Sequence, residues 1–283
     1  MWEHLDKVIE SCYFWLDINL KYMGSVRAKK YLGQHFLTDK NIATKIVGAL
    51  QPDKGFNRVL EVGPGMGVLS DILLENNLYD TWLIDIDGES VEYLKDRYPL
   101  LHERLIHGDF LTLNINEWFE GPLAIIGNFP YNISSQILFK VLEHRNQVVE
   151  VVGMFQKEVA ERCAARPGNK EYGILSVFLQ AYYDVRYLFT VKAGAFNPPP
   201  KVLSGVIRLE RNDTLHLPCN EVLFWKIVKA GFNQRRKTLR NALSVLIDKN
   251  LLNDNPMLEL RAERLSVDNF VELTNFIEQL TKS

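Results

Sequence analysis

The stretch RVLEVGPGMG, Arg58–Gly67, decides the fold because it joins a short apolar run to three closely spaced glycines. The run RVLEV has the length and composition of a buried strand, and a helical pattern follows over Val68–Asn77. Glycines between a strand and a helix allow positive φ and let the backbone approach a ligand. Open α/β sheets bind ligands at the carboxyl ends of their strands, so this turn predicts a ligand site.

The same alternation of apolar runs and helical patterns continues along the chain and predicts an α/β fold with a mostly parallel, seven-stranded sheet. Helices are predicted over 90–97, 135–143 and 157–164. The last two strands alternate polar and apolar residues and are predicted to be antiparallel. After Arg58–Val62, the predicted strands are Thr81–Asp85, Arg104–His107, Pro122–Ile126, Val148–Phe155, Tyr182–Val191 and Gly205–Glu210.

Beyond residue 212 the strand pattern does not return, and helices are predicted over Asn220–Ile247 and Val267–Leu280. We therefore divide the chain into an N-terminal extension (1–26), an α/β domain (27–212) and a small all-α domain (213–283). Residues 1–22 are predicted to precede the folded core, with Met23 as an alternative start. An intact mass of the native protein that includes residues 1–22 would contradict that start.

Composition limits the possible classes of protein. The chain has 283 residues, is 47% hydrophobic and has a formal net charge of −2, so any nucleic-acid surface must be local. Cys12, Cys163 and Cys219 are scattered, which argues against a disulfide framework or a metal site and favours a reducing cytoplasm. No apolar run reaches the ~18 residues of a membrane span. No apolar stripe is left unassigned, so a monomer is expected.

Polar residues follow successive predicted strands at one rim of the sheet. Gly63 and Gly65 follow the first strand, Asp85 ends the second, and Asp109 and Asn128 follow the next two. The GxGxG spacing lacks a phosphate-binding lysine and the GxGxxG period of dinucleotide sites. An acid at the second strand can accept both hydroxyls of a ribose, and S-adenosylmethionine fits this set of groups.

Asp87 is the alternative to Asp85 as the ribose ligand, since it also follows the second strand. We prefer Asp85, because Asp87 stands where a helix N-cap or a turn residue is expected.

The stretch GNFPYNIS, Gly127–Ser134, places an amide, a proline and an aromatic ring in succession after a strand. Taken alone, Asn128 is compatible with a cap or turn residue, and Tyr131 with ordinary packing. Phe196, which begins the proline-rich stretch FNPPPKV, is by itself compatible with core packing.

Together, EVGPGMG, HGDF and GNFPYNIS resemble the S-adenosylmethionine-dependent ribosomal RNA adenine dimethyltransferases. The resemblance extends over roughly residues 27–280 and implies a Rossmann-like class I methyltransferase domain with a helical RNA-substrate domain. His35 stands where that family usually has Asn, and Asp85 where it usually has Glu. Further matching segments are GQHFL (33–37), FQKEVAERCAARPGNKEYGILSV (155–177), FNPPPKV (196–202) and GFNQRRKTLRNAL (231–243).

The resemblance implies roles for individual residues. An adenine amino group is a poor nucleophile until it becomes tetrahedral, and hydrogen bonds to the Asn128 oxygen and the Pro130 carbonyl would favour that geometry. Tyr131 and Phe196 would hold the base between two aromatic rings. His35 and Leu37 would contact the cofactor. Neither a strong general base nor a metal is expected.

Two basic segments are predicted to bind RNA phosphates. The first contains Arg27, Lys29 and Lys30, before GQHFL, and the second contains Arg235, Arg236, Lys237 and Arg240, in the C-terminal domain. A solvated helix face is the alternative explanation for such charges. Arg162, Arg166 and Lys170 flank a predicted loop, PGN, and are predicted to form a third contact with RNA.

The resemblance implies dimethylation of adenine N6 at two adjacent adenosines in the 3′-terminal helix loop of small-subunit (16S) rRNA. The partner would be the immature small ribosomal subunit, late in its assembly. Two alternatives stay open, a resistance-type methyltransferase acting on large-subunit rRNA and a non-catalytic ribosome assembly factor. Methyltransferases of DNA adenine or of protein glutamine are less favoured, since they prefer a DPPY or NPPY strand end.

Overall fold

A computed structural model of the chain describes residues 26–252 and 255–282, so the predictions for 1–22 and Met23 lie outside the described residues. Nine strands are present in the described part. They are β1 (Phe36–Leu37), β2 (Arg58–Val62), β3 (Asp80–Asp85), β4 (Leu105–His107), β5 (Leu123–Asn128), β6 (Val148–Gln156), β7 (Tyr183–Val191), β8 (Phe196–Asn197) and β9 (Ser204–Arg211).

Seven of these strands form one sheet in the order β4-β3-β2-β5-β6-β9-β7. The first five are parallel, and β9 is antiparallel to both β6 and β7. This confirms the predicted α/β fold with its mostly parallel seven-stranded sheet. The parallel order brings the ends of β2, β3, β4 and β5 to one rim, where the polar residues of the sequence are found. β1 and β8 form a separate antiparallel pair.

Ten α-helices are present among the described residues, and the predicted helices of the α/β domain are confirmed within one or two residues. They are α1 (Lys40–Val47), α2 (Val68–Asn76), α3 (Gly88–Arg97), α4 (Ile115–Trp118), α5 (Ser134–Glu143), α6 (Lys157–Ala164), α7 (Ile174–Gln180), α8 (Glu221–Asn233), α9 (Leu239–Ala242) and α10 (Val267–Lys282). None of those described is long and apolar enough to cross a lipid bilayer.

Helices α1 and α7 are not predicted by the sequence patterns. Asp39 caps α1 by accepting from the backbone N–H groups of Asn41 and Ile42. The sequence of α7, ILSVFLQ, is apolar on almost every side and shows no helical stripe, because most of its residues are buried. A short apolar run of this kind does not distinguish a strand from a buried helix.

The prediction of a single helix over 220–247 is wrong, because the helix is interrupted in the middle of this range. Helix α8 ends at Asn233, and the chain turns before α9 begins. A Cβ atom added to Gly231 would lie 3.0 Å from Leu239, so the glycine lets the chain fold back closely. The turn allows Leu239 to become fully buried, which a continuous helix would not.

The sheet has a hydrophobic layer on each face. Leu60 and Ile125 belong to one layer, and Val59 and Ile126 to the other, as expected for alternating strand residues. The first layer continues into the C-terminal helices, where Trp225 lies with its ring centroid 3.8 Å from that of Phe178. The all-α segment therefore packs directly on the α/β domain.

Candidate active site

A cleft lies at the carboxyl ends of β2, β3, β4 and β5, where the sequence predicted a ligand site. Its free volume, including space open to solvent, is ≈ 930 Å³. The predicted site residues that line it are His35, Gly63, Gly65, Asp85, Asp109, Asn128, Pro130 and Tyr131.

The glycine turn forms one wall of this cleft. Gly63 and Gly65 have φ values of +69° and +56°, a region that residues with a Cβ atom rarely adopt. A Cβ atom on Gly65 would lie 2.8 Å from the ring of Phe36. The turn therefore brings bare backbone to the cleft, with Phe36 packed closely against it.

Asp85 is buried beside the glycine turn, with 5% of its surface exposed. One carboxylate oxygen accepts from the backbone N–H of Gly65 and the other from that of Asp87. Burial raises the pKa of Asp85, and these two hydrogen bonds oppose the rise. The bonds fix the orientation of the carboxylate, and its other lone pairs can accept ligand hydroxyls.

Asp87 caps helix α3, which confirms the role predicted for it. Its carboxylate accepts from the Glu89 N–H and from the Ser90 hydroxyl. It also pairs with Lys29 and accepts from Gln34 at 3.1 Å. Burial would raise the pKa of Asp87, but its hydrogen bonds with Lys29 and Gln34 bring that pKa below its ordinary value.

Asp109 follows β4 and Asn128 ends β5, two strands that lie on opposite sides of β3 and β2 in the sheet. The carboxylate of Asp109 accepts from the Leu111 N–H at 2.9 Å. The side-chain amide nitrogen of Asn128 donates to the backbone carbonyl of His35 at 2.8 Å. Since this bond uses the nitrogen, the amide oxygen of Asn128 is the acceptor available to a ligand.

The ring of Tyr131 stands at the mouth of the cleft beside that of His35, with ring centroids 5.5 Å apart. Its hydroxyl is bonded to the hydroxyl of Ser204 at 2.6 Å. Burial raises the pKa of Tyr131, and the bond to Ser204 opposes that rise. The phenol is therefore neutral at physiological pH.

Phe196 is a buried residue of the core. It is 4% exposed and belongs to a hydrophobic core cluster, and it pairs with Leu37 between β8 and β1. Phe196 is not among the residues that line the cleft, so its role as a second ring beside the base stays a prediction. Leu37 is also buried and lines a smaller adjacent cavity rather than the main cleft.

The predicted role of the Pro130 carbonyl needs correction. Its oxygen accepts from the Ile133 N–H and from the Ser134 hydroxyl, each at 3.3 Å, so it closes the turn. No hydrogen bond of the described residues ends on the carbonyl of Phe129, which precedes it. The backbone acceptor nearest in sequence to Asn128 is therefore that of Phe129.

The basic segment before His35 is partly paired with acids that are distant in sequence. Lys29 forms ion pairs with Asp87 and, at 3.3 Å, with Glu89. These carboxylates lie about 60 residues away in sequence, so folding alone brings them close. Lys29 thus anchors the segment to α3, whereas Arg27 and Lys30 are exposed.

The C-terminal basic residues divide into two groups. Arg235 lies 3.4 Å from Glu263, and Arg240 lies 2.7 Å from Glu259, so both contribute to internal contacts. Arg236 and Lys237 are exposed in the turn between α8 and α9, and neither forms an ion pair with a described residue.

Glu61 is a buried acid beneath the glycine turn that the sequence analysis did not select. It is 1% exposed, lines the smaller cavity and accepts from the Ser70 hydroxyl at 2.6 Å. Burial raises the pKa of Glu61 to about 8. Its position within EVGPGMG was the available signal, but only the packing of α2 on β2 shows its burial.

The cleft fits S-adenosylmethionine on the chemistry of its groups. Gly63 and Gly65 offer close backbone approach, and the oriented carboxylate of Asp85 offers two acceptors for ribose hydroxyls. Asp109, which follows the neighbouring strand β4, offers a further acceptor to which an adenine amino group can donate. Tyr131 also lines the cleft and offers an aromatic face, which can attract a sulfonium cation.

Comparisons with known proteins agree with this geometry. A family model described as ribosomal RNA adenine dimethylase matches residues 25–279. The ribosomal RNA small subunit methyltransferase A of Cytophaga hutchinsonii is 60% identical over 255 residues, covering 90% of this chain and 99% of that protein. The corresponding protein of Flavobacterium johnsoniae is 54% identical, covering 90% and 98%.

Solved structures show the same fold. A dimethyladenosine transferase from Plasmodium falciparum superposes with a TM-score of 0.72 at 27% identity, covering 87% of this chain and 98% of that one. The 23S rRNA methyltransferase ErmE superposes with a TM-score of 0.63 at 22% identity, covering 84% and 99%, which supports the fold alone. The chain thus belongs to the ribosomal RNA adenine dimethylase family, whose members use S-adenosylmethionine on a class I methyltransferase fold.

Proposed function

We propose that the chain dimethylates adenine N6 at two adjacent adenosines in the 3′-terminal helix loop of small-subunit (16S) rRNA, late in assembly of that subunit. Its relatives from Cytophaga hutchinsonii and Flavobacterium johnsoniae, which it matches almost end to end, are named small subunit methyltransferases. The observation that carries the proposal is that the residues assigned to the cofactor and the oriented amide of Asn128 line the same cleft.

The chain's residues hold the two reactants in the cleft. When bound, S-adenosylmethionine supplies an electrophilic methyl group on a sulfonium, so the protein chiefly needs to orient the acceptor. Asp85 binds the ribose hydroxyls, and Asp109 accepts from the amino group of the cofactor's adenine. Holding the reacting atoms in one geometry removes much of the entropic part of the barrier.

The target amine is bound by acceptors on GNFPY. The Asn128 oxygen accepts one N6 hydrogen, and its orientation is fixed by the bond to the His35 carbonyl. The carbonyl of Phe129 accepts the other, since that of Pro130 is engaged in the turn. Both bonds favour a tetrahedral amine whose lone pair faces the methyl group.

The aromatic face of Tyr131 stacks on the target base, a contact worth roughly 1–3 kcal/mol. An adenine bound in this way has left its helix or lies in a loop. Arg236 and Lys237 are two exposed cations of the C-terminal segment, and we assign them to RNA phosphates. In this proposal the protein is a cytoplasmic monomer that acts on the immature small subunit.

The deciding experiment measures transfer of radiolabelled methyl groups to immature small subunits that lack the modification. We expect up to four methyl groups per subunit, and primer extension that stops at two adjacent adenosines near the 3′ end. Large subunits treated in parallel should incorporate none. Label only in large-subunit rRNA would favour the resistance-type alternative, and no label in either would favour an assembly factor without activity.

A further inference from the structure

The hydroxyl of Tyr131 is held by a residue far away in sequence. Ser204, its partner at 2.6 Å, is fully buried and begins β9 directly after the proline-rich loop 198–203. The backbone of Ser204 pairs with Gln156 on one side and with Val191 on the other. Because β9 lies between two neighbouring strands, the Ser204 hydroxyl is a fixed point of the sheet.

The same loop holds the second ring at the mouth of the cleft. Nδ1 of His35 lies 2.8 Å from the carbonyl oxygen of Pro198. A carbonyl can only accept, so Nδ1 carries the proton of this bond. The rings of His35 and Tyr131, 5.5 Å apart, are therefore each bonded to one end of the proline-rich loop.

We propose that Ser204 is a positioning residue for methyl transfer, which orients the Tyr131 ring, and that the loop from Pro198 to Ser204 sets the spacing between that ring and His35. The proposal rests on the proposed function, in which Tyr131 stacks on the target adenine. Prolines stiffen the loop and keep its two ends at a constant separation.

The hydroxyl bond restricts the direction in which the ring points, and stacking on a base depends on that direction. Tyr131 lies in the short 3₁₀ turn Tyr131–Ile133, where its ring can rotate about its side-chain torsions. The bond to Ser204 fixes the position of the hydroxyl end of the ring. Asn128 lies three residues earlier in the same segment, so a base held at the wrong angle would also lose alignment with that amide. Small misplacements of this kind lower the rate of a bimolecular reaction strongly.

The test is a double-mutant cycle with Ser204→Ala, Tyr131→Phe and the double variant, measured for kcat, KM for the RNA substrate and Kd for S-adenosylmethionine. Each single change removes the same hydrogen bond and keeps the ring, and we expect each to lower kcat by about fivefold. The double variant should fall no further than the lower single variant. Cofactor Kd should stay unchanged.

Two results would overturn the proposal. One is a double variant in which the two losses multiply, since independent losses of about fivefold would give about 25-fold. The other is an unaltered kcat in Tyr131→Phe. That variant keeps the ring and removes only its hydroxyl, so it decides the question even where Ser204→Ala lowers stability.

A matched control is available on the neighbouring strand. Thr190 in β7 is bonded to the hydroxyl of Tyr187 at 2.7 Å, away from the cleft lining. Thr190→Val should leave kcat unchanged. A loss in Thr190→Val equal to that in Ser204→Ala would show a general effect on the sheet and overturn the proposal.

The outcome is separable from the proposed function. A wild-type chain that transfers no methyl group to small-subunit rRNA would refute the proposed function and this proposal with it. An active wild-type chain whose Ser204→Ala and Tyr131→Phe variants are equally active would refute only the role of Ser204.

Discussion

At the scale of single residues, Asn128 carries the chemistry that we assign to the cleft. Asn128→Ala removes one acceptor of the target amine, and we expect kcat to fall by about 10²-fold. The Kd for S-adenosylmethionine should change little, because the ribose ligand Asp85 is untouched. Single-turnover methyl transfer and equilibrium cofactor binding measure the two effects separately.

Two further variants sharpen this prediction. Asn128→Asp keeps an acceptor but loses the N–H group that donates to His35, so it should retain more activity than alanine if the acceptor matters most. Asn114→Ala removes an exposed amide bonded to Glu117 and should leave the rate of methyl transfer unchanged. Nearly unchanged methyl transfer in Asn128→Ala would contradict the assigned role of Asn128 as an acceptor for the target amine.

Glu61 predicts a pH dependence of stability. A carboxyl whose pKa rises on folding, here from 4.5 to about 8, makes the folded state bind more protons than the unfolded chain. Its contribution to stability therefore falls as the pH rises through that window. Glu61→Gln stays neutral at every pH and can still accept from Ser70. As the pH rises from 5 to 8, the free energy of unfolding of this variant should therefore increase relative to that of the wild type, by on the order of a few kcal/mol.

Urea unfolding of both proteins at pH 5, 6.5 and 8 measures this difference. Glu150 also has a pKa raised by burial, to about 7, but it is present in both proteins and cancels in the comparison. A difference in unfolding free energy that stays constant with pH would contradict the assignment to Glu61.

At the scale of elements, the turn between α8 and α9 determines which cations face the solvent. A continuous helix would have placed the basic residues along one side, whereas the turn exposes Arg236 and Lys237 and draws Arg240 into contact with Glu259. Replacing Arg236 and Lys237 together by alanine should weaken RNA binding and lower the salt slope of log K by about one to two.

The melting temperature separates contact with RNA from a structural role. It should be unaltered when Arg236 and Lys237 are replaced, and lowered when Arg240→Ala breaks the pair with Glu259. An unchanged salt slope in the double alanine variant would show that this turn is not part of the RNA footprint.

At the scale of the whole molecule, the C-terminal helices and the α/β domain share one hydrophobic layer. Phe224 in α8 is fully buried, with ring centroids 6.3 Å from Phe178 of α7 and 6.5 Å from Phe270 of α10. Because the layer is continuous, we expect the two parts to unfold together. Phe224→Ala should cost about 3–5 kcal/mol.

Circular dichroism and tryptophan fluorescence, followed in one denaturant titration, test this expectation. The two probes should give one coincident transition, and Phe224→Ala should shift both by the same amount. The neighbouring Val222, 67% exposed, provides a control, since Val222→Ala should change stability by less than about 0.5 kcal/mol. Separate transitions would show two independently stable units.

Much of the fold was predictable because the parallel strands are short and apolar and are separated by glycine, proline and helical patterns. RVLEV is β2 without any change of bounds, and the role of Asp87 as a helix cap followed from its place after a strand. Helix α7 and the turn before Leu239 were not predictable, since burial on all sides removes the periodicity from which helices are recognised.

The sequence by itself determined the succession of strands and helices along the chain, the glycine turn and the set of Asp85, Asp109 and Asn128. Each of these residues stands at or just after the end of a strand, and parallel strands end at one rim. Tertiary structure alone decided which residues meet across long sequence separations. It buried Phe196, paired Lys29 with Asp87, and joined Tyr131 to Ser204. Contacts of this kind depend on how layers pack, and local patterns of polarity carry no information about that packing.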